Sequence, residues 1–288
     1  MKGEIDMTSS SYKELYAKPM VVNTIDECEF YHVMEVPGVG ICGGKWDLRD
    51  GVDQYLGGVN FSGKRVLELG TASGFLCFEM EKREADVVSF DIGEDQEWDI
   101  IPFVQYDYKK KIDEFRIFCK RLKNAYWYAH KANNSYAKVV YGSIYNIPEE
   151  IGAVDIATFC SILLHLRDPF LALQNAAKLV KETIIVTDLA PDSFYFSLFG
   201  FGNYLRALAK LVLLGKHSAA LNLQFPYMKF LPNFRTLEHK DVWWQLSPNI
   251  IINFLGILGF TETKVTYHFH ELFGRKQKLF TVVAKRTA

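Results

Sequence analysis

The 288-residue chain is poor in cysteine and close to electrically neutral, and both facts narrow what it does. Its five cysteines, Cys28, Cys42, Cys77, Cys119 and Cys160, are odd in number, widely spaced and form no C-x-x-C pair. That pattern argues against a disulfide framework and a cysteine zinc site, and points to reduced thiols in a cytoplasmic protein with no metal. With 33 basic against 34 acidic residues, no global field announces a nucleic-acid partner, although a local basic patch stays open. The first twenty residues hold no apolar core of a secretion signal. The apolar stretch within residues 190–240 is interrupted by Arg206 and Lys210, well short of the ~20 residues of a membrane span. Internal repeats and low-complexity linkers are missing as well. What is left is a globular chain, rich in rings, long enough for one large domain or a core with an appended piece.

The informative stretch runs from Lys64 to Asp91. Arg65 to Leu69 is a short apolar run ending at Gly70, as a buried parallel strand should. Gly70-Thr71-Ala72-Ser73-Gly74 then turns sharply with little side-chain bulk. Phe75 to Arg83 carries apolar residues at helical spacing, and Val87 to Phe90 is a second strand with Asp91 at its carboxyl end. In a doubly wound sheet that edge is where ligands bind, and a carboxylate there can accept both hydroxyls of a ribose. A dinucleotide site would require G-x-G-x-x-G, but Ala72 and the bulky Phe75 stand at two of those positions. Glu68, two residues before the turn, suits an ammonium group better than a pyrophosphate.

Upstream, Glu29 to Val36 is rich in strand formers and ends at the Pro37-Gly38 turn. Residues 1–44 form an N-terminal extension that either folds over the cleft or caps the sheet edge. Downstream, Lys109 to His130 predicts a helix with Ile112, Phe115, Phe118, Leu122 and Tyr126 on one face. Its other face, from Lys109 to Lys123, is basic, and reads as an RNA-facing surface or a solvated face diluted by Asp113 and Glu114. Strands follow at Ala137–Tyr141, Val154–Phe159 and Thr183–Thr187, with a helix from Phe170 to Val180. His165 stands at the strand edge, either as a general base or as a packed ring holding the loop before Asp168-Pro169. Asp188 is an edge carboxylate expected near substrate. Residues 190–240, with the aromatic run from Phe194 and a helix over Asn203–Leu214, form a lid over substrate or a small core of their own. Ser247 and Pro248 open another helix, which closes at Gly259. Thr263–His270 and Lys278–Lys285 form a hairpin.

Glu68, Gly70, Ala72 and Gly74, in register with Asp91, resemble the first motif of the class I S-adenosylmethionine (SAM) methyltransferases, with alanine for the middle glycine. The resemblance implies an α/β fold, a Rossmann-like doubly wound sheet of seven strands with one antiparallel, spanning residues 45–288. It implies SAM as cofactor, with Glu68, Gly70 and Ser73 holding the methionine moiety and Thr71, Ala72 and Gly74 completing the turn. Asp91 would hold the ribose, Ser143 and Ile144 would border adenine, and Ser161 and His165 would face the reacting end. Trp243 and Trp244 would line an acceptor pocket or pack the lid onto the core. The K-W-D-L-R, L-L-H-L-R-D-P and W-W-x-L-S-P elements are similar to a branch related to the tRNA wobble-uridine carboxymethyltransferases, which use carboxy-SAM. Leu164 replaces that branch's tyrosine and cannot donate to the extra carboxylate, so ordinary SAM is expected. The expected reaction is methyl transfer to oxygen or nitrogen of a small-molecule acceptor, a secondary metabolite, sugar or lipid-like compound. A tRNA-modifying enzyme and a SAM-binding protein without turnover are the alternatives.

Overall fold

The computed structural model describes residues 15–94, 96, 98–191 and 226–287. The first short strands are β1 (Met34–Val36), β2 (Gly40–Cys42) and β3 (Trp46–Asp47), followed by helix α1 (Val52–Tyr55). The core unit is then β4 (Arg65–Leu69), α2 (Phe75–Glu81), β5 (Asp86–Ile92), the long α3 (Tyr108–Ala132) and β6 (Lys138–Gly142). It continues through β7 (Val154–Cys160), α4 (Pro169–Ala177), β8 (Val180–Leu189), β9 (Met228–Phe230) and β10 (Trp244–Leu246). Helix α5 (Pro248–Ile257) and the hairpin β11 (Glu262–Leu272) and β12 (Arg275–Lys285) complete it.

The main sheet has the order β3-β11-β12-β8-β7-β4-β5-β6. Strands β8, β7, β4, β5 and β6 are parallel, and β12 runs against both β8 and β11. This is the expected doubly wound class I methyltransferase architecture, with one difference. Trp46–Asp47 pairs antiparallel with Leu272 and Glu271, so the sheet has eight strands rather than seven. The chain order reverses between β4 and β7, and the crevice at their carboxyl ends is where such sheets take ligands. Two apolar layers enclose the sheet, one beneath α2 and α3 and the other beneath α4 and α5.

Several boundaries move. The helix expected to reach Val180 ends at Ala177, because the Leu179 carbonyl already accepts from Val154 N and Val180 starts β8. The second-turn helix stops at Glu81 rather than Arg83. Of Glu29–Val36, only Met34–Val36 is strand, paired with β2 across the Pro37-Gly38 turn. The aromatic run from Phe194 and the helix expected over Asn203–Leu214 lie outside the described residues. The described ends of that segment join the body, with β9 pairing antiparallel to β10.

The basic face of α3 also differs. Lys111 pairs with Glu114, Arg116 with Asp113 at 3.3 Å, and Arg121 reaches the Cys28 carbonyl at 2.8 Å. Lys123, expected on that face, is instead buried, its ammonium 4.4 Å from the centre of the Tyr141 ring.

The turn after β4 shows why glycine is required at its end. Gly74 has φ +87°, and a Cβ there would lie 2.7 Å from Phe78 Cε2 and 2.8 Å from Tyr126 Cδ2. Gly74→Ala therefore combines left-handed strain of about 1–2 kcal/mol with overpacking of about 1–3 kcal/mol. The expected result is a thermal midpoint lowered by roughly 5–10 °C. A midpoint within a degree of wild type would show that the turn relaxes freely.

Candidate functional site

A cleft of about 730 Å³ opens over the carboxyl ends of the parallel strands. The turn after β4 supplies Gly70 and Ala72, β5 supplies Asp91, and the ends of β6 and β7 supply Ser143, Ile144 and Ser161. His165 and Leu164 border it from the short turn after β7. These expected residues are brought together.

The turn is held in an uncommon conformation. Gly70 has φ +82°, and a Cβ there would meet Ile162 Cδ1 at 2.6 Å. Ala72, in the middle position, also takes a left-handed φ of 50°. Its amide donates to Asp91 Oδ2 at 2.8 Å, which fixes the turn against the end of β5. Asp91 Oδ1 accepts from Ile92 N at 2.7 Å. Each carboxylate oxygen therefore has one lone pair held by backbone and one left over. Burial raises the Asp91 pKa from its ordinary value, while its two amide donors and the nearby Lys123 ammonium act the other way.

Other expected residues stand behind the turn rather than on the cleft wall. Glu68 is 2% exposed, and its Oε2 accepts from Ser89 Oγ at 3.1 Å. Ser89 Oγ in turn accepts from Tyr126 OH at 3.1 Å and from Thr71 Oγ1 at 3.3 Å. Ser73 is fully buried, its Oγ accepting from Tyr31 N at 3.0 Å. Gly74 packs beneath Phe78 and Tyr126. Asp188 is buried too; Oδ1 accepts from Leu189 N at 2.7 Å, and Oδ2 has no partner among the described residues.

Burial pushes the pKa of both Glu68 and Asp188 up to about 7. A carboxyl whose pKa is raised on folding stabilises the protein most at low pH, and that contribution is lost as pH rises through 7. Burial lowers His32 to about 3 and His268 to about 4, so these rings oppose the trend only below about pH 6.5, where the unfolded rings protonate. Most of that loss falls between about pH 4 and 7; from pH 6.5 to 8.5, clear of the histidines, the ligand-free protein is expected to lose a little under ~1 kcal/mol per buried carboxyl. Glu68→Gln and Asp188→Asn should each flatten the pH dependence of thermal unfolding. A slope unchanged in both variants would assign the loss elsewhere.

Trp243 and Trp244 serve packing. Trp243 Nε1 donates to the Asp99 carbonyl at 2.6 Å, and its ring joins Ile101 and Phe103. Trp244 Nε1 donates to the Arg167 carbonyl at 3.2 Å, and its ring lies 5.4 Å from Phe230. Only their neighbours Lys240, Asp241 and Val242 reach the cleft.

His165 has a defined tautomer. Its Nδ1 is 2.5 Å from the Asp241 carbonyl oxygen, which can only accept, so Nδ1 carries the proton. The lone pair is then on Nε2. Trp98, Phe115, Phe118 and Leu164 add apolar and aromatic surface to the lining of the same cleft. Phe115 and Phe118 are half-buried because the apolar face of α3 turns from the core to the cleft along its length.

Tyr31, His32 and Tyr55, which carried no signal in the sequence, also border the cleft, as does Lys123, which was expected on the basic face. Tyr55 is buried, and its hydroxyl lies 3.0 Å from Ser161 Oγ. Ser161 itself has φ +53° at the end of β7.

A family model described as a methyltransferase domain matches residues 46–249. The ubiquinone biosynthesis O-methyltransferase of Acinetobacter baylyi is 25% identical over 219 residues, covering 71% of this chain and 79% of that protein. Among solved structures, magnesium protoporphyrin IX methyltransferase from Synechocystis with bound S-adenosylhomocysteine (SAH) is similar at 16% identity and a TM-score of 0.47. The match covers 83% of this chain and 82% of that one. The SAH-bound N-terminal domain of EvdMO1 is similar at 15% identity and a TM-score of 0.49, covering 91% and 93%.

Proposed function

Because the chain belongs to the methyltransferase-domain family and is a SAM-dependent methyltransferase, we propose that it methylates an oxygen or nitrogen of a small ring-bearing acceptor. The observation that carries this reading is His165, its tautomer set by Asp241, in a cleft whose lining includes Trp98, Phe115, Phe118 and Leu164. When bound, SAM supplies a methyl group on a sulfonium, already electrophilic and leaving as a neutral thioether. The protein needs to align the acceptor, exclude water and, for a hydroxyl, receive its proton. His165 Nε2 is the atom assigned to that proton. Asp91 would accept from the ribose hydroxyls, and Ser143 and Ile144 would border the base. Glu68, Ser73 and the turn would shape the methionine end, with Glu68 acting through Ser89 and Thr71 rather than by touching it. Asp188 would contribute charge near the reacting end from behind the wall.

Leu164 borders the cleft where the resembling tRNA-modifying branch has its tyrosine, which supports ordinary SAM over carboxy-SAM. The internally paired charges on α3 weaken the case for an RNA surface. The direct test is transfer of tritium from [methyl-³H]SAM to a panel of simple phenols, catechols, aromatic amines and bulk tRNA. Label in a phenol or amine is expected. Label confined to tRNA would reverse the choice of acceptor.

A further inference from the structure

We propose that Asp99 is a positioning residue for the transfer: it clamps together the two segments that fix the His165 ring, and so sets where Nε2 is presented. That role rests on His165 as the group that takes the acceptor's proton, and it adds a residue outside every sequence motif.

The His165 ring is held from two sides. Its backbone belongs to the short turn after β7, and its Nδ1 bonds the Asp241 carbonyl, on the segment that leads into β10. A bond of that kind orients the imidazole only as well as the two segments are held against each other. One backbone bond crosses directly between them, from Trp243 N to the Leu164 carbonyl at 2.8 Å. Further ties run through Asp99, on the stretch between β5 and α3.

Towards the turn, Asp99 Oδ2 accepts from Arg167 N at 2.8 Å and from the Tyr145 hydroxyl. The same hydroxyl accepts from Asp168 N at 3.2 Å. Towards β10, the Asp99 carbonyl accepts from Trp243 Nε1 at 2.6 Å. Two residues on, Ile101 N donates to the Lys240 carbonyl at 2.9 Å, so the ties at Lys240 and Trp243 bracket Asp241. The Arg167 guanidinium closes the clamp, 5.0 Å from the centre of the Trp243 ring. The Asp99 side chain is only 17% exposed, so its charge-assisted bonds are poorly replaced by water. Without the carboxylate, Arg167 N and the Tyr145 hydroxyl lose their common acceptor, and the turn carrying His165 is free to shift. A displacement of about 1 Å at a reacting group can cost about 10²-fold in rate.

The test compares methyl transfer to the best phenol of the acceptor panel and to its nitro-substituted analogue, with SAH affinity measured by calorimetry. A phenol with a pKa of about 10 is still protonated at about pH 8 and needs a base, whereas the nitro analogue is largely ionised there. Asp99→Ala is expected to lower kcat about 10- to 100-fold on the ordinary phenol and no more than about threefold on the analogue, with SAH affinity within about twofold of wild type. Asp99→Asn keeps an acceptor for both donors and should restore kcat to within about threefold. Tyr145→Phe, which keeps the ring and removes one tie, should show the same contrast between the phenols and carries the test if the alanine variant fails to fold. In a His165→Ala background, Asp99→Ala should cost little more, because both act through one ring. Equal losses on the two phenols, weakened SAH, or additive losses in the double variant would overturn the proposal. A His165→Ala variant as active as wild type on the ordinary phenol would instead sink the proton-acceptor reading on which it stands.

Discussion

Replacing Asp91 with alanine is expected to weaken SAH binding by about 100- to 1,000-fold, the largest single effect on affinity in the molecule. Two charge-assisted hydrogen bonds to ribose hydroxyls are each worth about 1.5–3 kcal/mol, and part of the loss is recovered by water. Asp91 is suited to this because backbone amides already hold its two oxygens, Ala72 N on one and Ile92 N on the other. No side-chain reorganisation is needed when a diol arrives. The substitution also releases the turn, so folded content is checked by circular dichroism beside the calorimetry. Asp91→Asn keeps one acceptor and is expected to fall between the two. An alanine variant within threefold of wild type would mean that the ribose lies elsewhere.

His165 carries the second large effect. His165→Ala is expected to lower kcat for the best phenol of the acceptor panel by about 10²- to 10⁴-fold, the usual contribution of a positioned general base. SAH affinity should stay unchanged, because the residue faces the reacting end. The split between turnover and affinity separates this role from that of a packing histidine, whose loss would lower both with stability. An alanine variant with wild-type kcat on a phenol, or one whose only defect is its melting temperature, would return His165 to the packing role.

Much of this architecture was legible in advance, for a local reason. Arg65 to Asp91 is a self-contained strand, turn, helix and strand, and its apolar spacing and glycines determine its form without help from distant parts. The same holds for Asp91, Ser143, Ser161 and His165, each sitting where a strand ends. Glu68 at the end of β4 and Thr71 and Ser73 in the turn lie near the cleft in sequence but behind its wall in space. Nothing in a linear motif says which side of a turn a side chain takes. Tyr31, His32 and Tyr55 were illegible because their place depends on contacts across the fold. Tyr31 N reaches Ser73, forty-two positions along the chain, and Tyr55 reaches Ser161, a hundred and six positions on. Lys123 misled because helical periodicity placed it with the solvated lysines, and only the Tyr141 ring explains its burial.

The strand order has a consequence for how the protein is made. In the sheet, β12 lies between β11 and β8, although β11 is synthesised first. Until β12 has emerged, β11 has no seat on the sheet, so β3 cannot join the sheet through Glu271 and Leu272. The hairpin tip, whose Phe273 amide bonds the Lys45 carbonyl at 2.9 Å, is likewise not yet positioned to steady the chain at Lys45. A nascent chain ending before Arg275 thus contains the whole glycine turn and Asp91 yet lacks a finished mouth to the cleft. Long-range pairings of this kind form late, because closing the intervening loop precedes any gain from the contact. The cofactor, which would stabilise the native chain by mass action, thus meets a finished cleft mouth only when the final hairpin closes.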